Sequence, residues 1–159
     1  GLAAIGIADR NTLAGVVRAY AAIRDWYEEH PAAPDQRIKL LVGSRLETRD
    51  GYSLLAYPMN LDGYKRLSRM LSEGNKEAAK GECDLTFAHI EKYAEDILAI
   101  VLPPRKPEDP AFHEKLRKLS RLFQGRCYLA GTMLFRGNDC LITRQSPWPI
   151  VPQNFCRPI

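Results

Sequence analysis

An α/β fold with a largely parallel sheet is predicted by three features of the sequence. Leu2-Ala3-Ala4-Ile5-Gly6-Ile7-Ala8 is an apolar run of the kind a strand buried on both faces shows, and it passes through Asp9 into a helical pattern. Two further strand-like runs, at 38–42 and 52–57, are joined across Arg49-Asp50-Gly51, where glycine tolerates the positive φ of a tight turn. A second fully apolar run, 97–102, precedes another helical pattern and a last apolar run at 127–135. Strands alternating with helices favour a sheet whose connections cross over between parallel neighbours. The carboxyl ends of such strands carry ligands and chemistry, which makes Asp9 the first candidate site residue.

Each element follows from local chemistry. The first helix is predicted over 12–29, with Leu13, Val16, Val17, Tyr20, Ile23, Trp26 and Tyr27 on one stripe and Asn11 or Thr12 as its cap. His30-Pro31 ends it, because proline drives the preceding residue out of the helical region. A second helix is predicted over 60–73, burying Leu61, Tyr64, Leu67, Met70 and Leu71 and closed by Gly74. The polar stretch 75–83 reads as a loop with a basic lip at Lys76 and Lys80. Thr86 caps a short helix carrying Phe87, Ile90 and Tyr93. Pro103-Pro104 stops the strand at 97–102. Asp109-Pro110 opens a helix with the stripe Phe112, Leu116, Leu119, Leu122 and Phe123, and Gly125 ends it. From 138 to 159 the chain has four prolines, Pro147, Pro149, Pro152 and Pro158, and no periodicity. That stretch reads as a surface loop or tail, or as a shifted reading frame after Asp139.

Composition narrows the function classes. A 45% hydrophobic content, 26% charged residues and a length of 159 suit one soluble globular domain. The net charge of +4 is compatible with nucleic acid nearby, but the Lys and Arg residues are spread over several segments, as on a solvated mixed-charge surface. Cys83, Cys127, Cys140 and Cys156 are far apart, which argues against a zinc site and a disulfide framework and points to a reducing cytoplasm. No apolar run approaches membrane-spanning length. His30, His89 and His113 fall on helices or helix ends without metal-ligand spacing. No glycine-rich phosphate loop is present.

Several phrases, in order, resemble one family. They are the 2–18 run; Leu41-Val42-Gly43-Ser44-Arg45-Leu46; Ser53-Leu54-Leu55-Ala56-Tyr57-Pro58, leading into Asp62-Gly63-Tyr64-Lys65-Arg66-Leu67; and Lys80-Gly81-Glu82-Cys83-Asp84-Leu85-Thr86. Together they resemble the PHP (polymerase and histidinol phosphatase) domain of bacterial C-family DNA polymerases, in its error-prone branch, over 1–137. The 138–159 tail does not resemble that family. The resemblance implies a distorted (β/α)7-type barrel, of which this chain would be a partial piece. It opens at Gly1 inside what reads as a compact unit, so the expectation is a fragment.

Active PHP domains hold metal ions with clustered His, Asp and Glu. By the resemblance Asp9 takes a ligand position, whereas Arg10 stands where active members often have His. Arg45 stands where replicative relatives tend to have Glu. A guanidinium repels a metal ion and cannot ligate it. The expectation is therefore a degraded metal site, with Asp9 either a residual ligand or an acceptor at the start of the following helix, and Arg10 and Arg45 in ion pairs. The implied function is a scaffold within an error-prone, translesion DNA polymerase. Its magnesium chemistry lies in a palm domain downstream, its partners are the rest of that chain and DNA, and it has no membrane association. Lys76, Lys80 and Arg105 are the candidates for DNA contact. The alternatives are a free-standing PHP-type phosphoesterase, which needs a His-x-His pair upstream, and a non-functional remnant of the polymerase.

Overall fold

The computed structural model describes residues 2–79 and 81–131. Its elements, in order, are β1 (Ala4–Arg10), α1 (Ala14–Glu29), a single 3-10 turn (Pro34–Gln36), β2 (Lys39–Glu47), β3 (Ser53–Pro58), α2 (Leu61–Glu77), α3 (Phe87–Tyr93), β4 (Ile97–Val101), α4 (Pro110–Leu122) and β5 (Cys127–Leu129). The strands form one sheet in the order β1-β2-β3-β4-β5. The α/β class holds, but the largely parallel sheet does not. β1 and β2 are parallel, as are β4 and β5, while β3 runs antiparallel to both its neighbours. The cause is the turn between β2 and β3, where Gly51 sits at φ +80° and the Thr48 hydroxyl accepts the Tyr52 N–H at 2.9 Å. A hairpin that short reverses the chain and excludes a crossover.

Alternation along the strands and the pairing register sort the sheet residues onto two faces. One face carries Ile7, Asp9, Val42, Ser44, Leu46, Leu54, Ala56, Ile97, Ala99, Val101, Cys127 and Leu129. Leu67, Met70 and Leu71 of α2, Ile90 of α3, Leu116 and Leu119 of α4, and Phe123 pack onto it in a single buried cluster. α1 joins that side too, because a Cβ on Gly15 would meet the side chains of Asp9 and Ile7. All four described α-helices therefore lie on one face. The opposite face carries Gly6, Ala8, Arg10, Gly43, Arg45, Glu47, Ser53, Leu55, Tyr57, Leu98, Ile100 and Tyr128, and no described helix covers it.

Local predictions met several departures, among them β2, which runs past the predicted 38–42 to Glu47. The helix predicted over 12–29 begins at Ala14 with Leu13 at its cap position, and of the two caps read there Thr12 takes part, its hydroxyl accepting the Ala14 N–H at 3.2 Å. Its apolar stripe stays largely outside the core: no residue of α1 is fully buried, and Val17 is 73% exposed and Tyr20 62%. α1 overlies the edge strand β1, so nothing described flanks it beyond that edge. Finally, α2 continues through Gly74 to Glu77. Gly74 does not end the helix but lets the 83–85 segment approach, since a Cβ there would lie 2.6 Å from Leu85 Cδ2 and 2.9 Å from Cys83 Sγ.

Candidate functional site

The carboxyl ends of β1 and β2 meet the amino end of β3 at one rim of the sheet. Arg10 and Arg45 are register partners on adjacent strands and project from the open face. Like charges side by side repel. Glu47, two residues after Arg45 and so on the same face, resolves this. Its Oε2 receives Arg10 Nε and its Oε1 receives Arg45 Nη2, both at 2.5 Å. One carboxylate thus bridges two guanidiniums. The backbone beneath is fixed by Asn11, which takes the left-handed conformation at φ 48°. Its side chain then imitates one more rung of sheet, donating Nδ2–H to Glu47 O at 2.9 Å and accepting Glu47 N–H at 2.8 Å. Asn11 therefore extends the strand pairing and does not cap α1.

Asp9 points the other way. Its Oδ2 accepts the Gly15 N–H at 2.8 Å, within the first turn of α1. Such a bond satisfies one of the helix's orphan donors and sets a negative charge at its positive end. Ser44, buried on the same face, donates its hydroxyl to Asp9 O at 2.9 Å. The sheet itself therefore separates Asp9 from Arg10 and Arg45.

Around the rim lies a cleft of about 370 Å³ whose lining includes Arg10, Asn11, Glu47, Arg49, Ser53 and Asp84. Arg49 Nη1 pairs with Asp84 Oδ2 at 2.8 Å. The Ser53 hydroxyl is buried and has no hydrogen-bond partner. Below the rim, the Tyr57 ring crosses the open face so closely that a Cβ on Gly43 would lie 2.6 Å from it, and one on Gly6 2.8 Å from its hydroxyl. Burial pushes the Tyr57 pKa above its usual value.

The other candidates lie apart. Lys76 is exposed in the last turn of α2, and Arg105 is exposed in the connection after β4. Lys80 falls outside the described residues, as do Cys140, Cys156 and the 138–159 tail. His30 stacks on Trp26 at 4.0 Å, His89 completes a capping box with Thr86, and His113 Nε2 lies 3.0 Å from Pro107 O. Burial raises the Cys83 and Cys127 thiols above their usual pKa. Among the described residues no group of three or more His, Cys, Asp or Glu is placed to hold a metal ion. The carboxylates at the rim, Glu47 and Asp84, are each already paired with a guanidinium, a setting that does not fit a divalent cation. No described helix is long and apolar enough to cross a membrane.

Sequence reading missed Glu47, Ser53 and Tyr57 as site residues. A usable signal for Glu47 was present: Arg45 and Glu47 are spaced by two, as same-face residues on a strand are. Ending the strand at Val42 hid it.

Fold and rim define an α/β unit with all its described helices on one face of a mixed sheet and an arginine–glutamate cluster at the strand ends. No family model matches the chain. Curated relatives do. The chain is 41% identical over 140 residues to an error-prone DNA polymerase of Rhodopseudomonas palustris, a match that covers 87% of this chain and 12% of that polymerase. It is 38% identical to an error-prone DNA polymerase of Caulobacter vibrioides, over 97% of this chain and 14% of the polymerase. That second match reaches into the stretch beyond 137 set apart by its composition. An error-prone DNA polymerase 2 of Rhizobium meliloti is 36% identical over 89% of this chain. The chain spans 12–14% of the length of these relatives, so its similarity is to one segment of an error-prone DNA polymerase.

Proposed function

We propose that this chain is part of the PHP domain of an error-prone, translesion DNA polymerase of the cytoplasm, and that it acts there as a packing scaffold and not as a phosphoesterase. The match to a polymerase segment at 41% identity over 87% of the chain carries this reading. Two features of the rim support the scaffold role. Arg10 and Arg45, which by the family resemblance stand where metal ligands would, are both tied to Glu47, and the Asp9 carboxylate serves the start of α1. In this reading DNA and magnesium belong to the parent enzyme, and the sheet's open face packs against the rest of the polymerase chain. Lys76, Lys80 and Arg105 are the residues of this segment proposed to reach the DNA backbone, as flexible cations that contact phosphate without reading sequence.

A chimera tests the proposal. The matching segment of the Rhodopseudomonas palustris polymerase is replaced by this chain, and primer extension is read beside thermal unfolding. Retained DNA synthesis is expected, with no change in unfolding temperature on adding manganese or zinc to the isolated chain. A folded chimera without synthesis would overturn the polymerase assignment. A metal-induced rise of several degrees at micromolar metal would overturn the scaffold role and favour a phosphoesterase.

A further inference from the structure

We propose that the notch between α1 and the amino-terminal half of β2 seats an extended segment of the same polymerase polypeptide, which adds to β2 as a short strand. The identity of this occupant rests on the polymerase reading, whereas the geometry of the notch stands without it.

The notch holds about 630 Å³ and is lined by Val16, Val17 and Tyr20 of α1 and by residues 39–42 of β2. Val17, Tyr20 and Leu41 are large apolar side chains left exposed there. Four consecutive strand residues in one lining bring the backbone edge into the space as well as the side chains, because side chains alone would contribute every second residue. The pairing register shows why that edge is free. In the parallel pair with β1, the Lys39 N–H donates to Ala3 O at 3.1 Å and Arg45 O accepts the Asn11 N–H at 2.9 Å. Residues 39, 41, 43 and 45 therefore turn their backbone groups to β1, and Leu40, Val42, Ser44 and Leu46 turn theirs to the β3 side. On that side the ladder runs from Glu47↔Ser53 to Ser44↔Ala56 and stops. Pro58, next in step and opposite Val42, has no N–H to offer. Leu40 lies beyond it.

Two separate observations thus point to one kind of occupant. A strand edge with open donors and acceptors is matched by extended backbone, and the wall of Val16, Val17 and Tyr20 is matched by apolar side chains. A helix would leave the edge unpaired. Lys39, at the same lining, has no ion pair among the described residues, so the occupant presents a carboxylate at that end. The open backbone groups are few: the Leu40 N–H and C=O and the Val42 C=O. So short an edge holds a free peptide poorly against the freedom the peptide loses on binding. A segment of the same polypeptide arrives at high effective concentration and needs no more than these bonds. Such a segment is at hand in this reading, because the chain spans only 12% and 14% of two of the polymerases it resembles.

Hydrogen exchange at the Leu40 and Val42 amides, read by mass spectrometry, tests this in the full 159-residue chain and in the polymerase chimera that carries it. Exchange in the chimera is expected to be about tenfold slower, as for amides that gain a strand partner. Val17→Asp, at a position 73% exposed, should leave the unfolding temperature of the isolated chain unchanged and abolish the slowing in the chimera. Lys39→Glu should cut the slowing about threefold, as for loss of one exposed ion pair. Equal exchange in chimera and isolated chain overturns the proposal, and so does slowing that Val17→Asp leaves intact. Slowing that Lys39→Glu does not touch overturns the carboxylate contact. Slowing that develops in the isolated chain as its concentration rises overturns the proposal in favour of a second copy. Primer extension keeps the two readings apart. A folded chimera without synthesis sinks the polymerase assignment and this occupant with it, whereas synthesis with unslowed exchange sinks the occupant alone.

Discussion

The two faces of the sheet are built from the same strands and have opposite fates. Leu54 and Leu55 are neighbours in β3, yet Leu54 is fully buried under the helices and Leu55 is only half-buried on the open side. The covered face gathers Leu46, Leu54, Ala99, Ile97 and Val101 with Leu67, Met70, Ile90, Leu119 and Phe123. The open face keeps large side chains that nothing described buries, including Tyr128 at 39% exposure and Leu41 at 49%. Strands that are apolar on both faces are the mark of sheets covered on both sides. Here one cover is supplied by the chain's own helices. The other face is dressed for packing too, with the Tyr57 ring laid over Gly6 and Gly43 and a charged cluster at its rim.

Substitution at adjacent positions is the sharpest way to break this comparison. Leu54→Ala should cost about 3 kcal/mol, the usual loss for a fully buried leucine with little room to collapse, while Leu55→Ala should cost about 1 kcal/mol or less. Urea unfolding of both variants measures the difference, and equal losses would mean that the open face is as tightly packed as the covered one. Asp9→Ala is expected to lose about 1 kcal/mol, because the Gly15 N–H at the start of α1 loses its acceptor. Asp9→Asn keeps an acceptor oxygen and should recover much of it, which distinguishes a helix-start role from a charge held for a ligand on the other face. A smaller effect concerns the tie between α2 and α3. Glu73 accepts from the Tyr93 hydroxyl at 2.6 Å and pairs with Lys92 at 2.9 Å, and these bonds, the tyrosine's first, hold its carboxyl below the usual value of 4.5. A carboxylate depressed on folding contributes stability that is complete above its unfolded pKa and is lost as pH falls through the lower folded value. Thermal unfolding between neutral and acidic pH should therefore show a Glu73-dependent loss that begins as pH falls below the ordinary 4.5 and continues down to the lower folded value. Glu73→Gln should remove it, and an unchanged acid profile in the variant would refute the assignment.

What the sequence disclosed was what is decided within a few residues. Thr86 and Asp109 sit at helix starts in the structure as their chemistry dictates, with the Asp109 carboxylate accepting the Ala111 N–H at 2.9 Å, and Gly125 takes the left-handed turn at φ +72°. Partners distant in the chain were illegible. Gly74 looked like a helix end because the segment that crowds it, 83–85, comes later in the sequence. The Asp50-Gly51 turn was visible, but its consequence, a reversed β3 in the middle of the sheet, was outweighed by the alternation of strands and helices around it. At the site, Arg10 and Arg45 were singled out, whereas the carboxylate that joins them was not, because β2 runs five residues beyond the Val42 where its apolar pattern stops. The stripe on α1 was real as a pattern, yet periodicity states only which side of a helix is apolar, not whether anything covers it.

The reversed central strand also decides where the sheet yields. β3 has a hydrogen-bonded neighbour on each side, one reached through a short hairpin, whereas among the described residues β1 and β5 each have a neighbour on one side only. Opening motions begin at such edges, where fewer bonds must break together. Backbone amides of β1 will therefore trade protons with solvent well before those of Leu54 and Ala56, and the last part of the molecule to be unravelled is the one strand that runs against the rest.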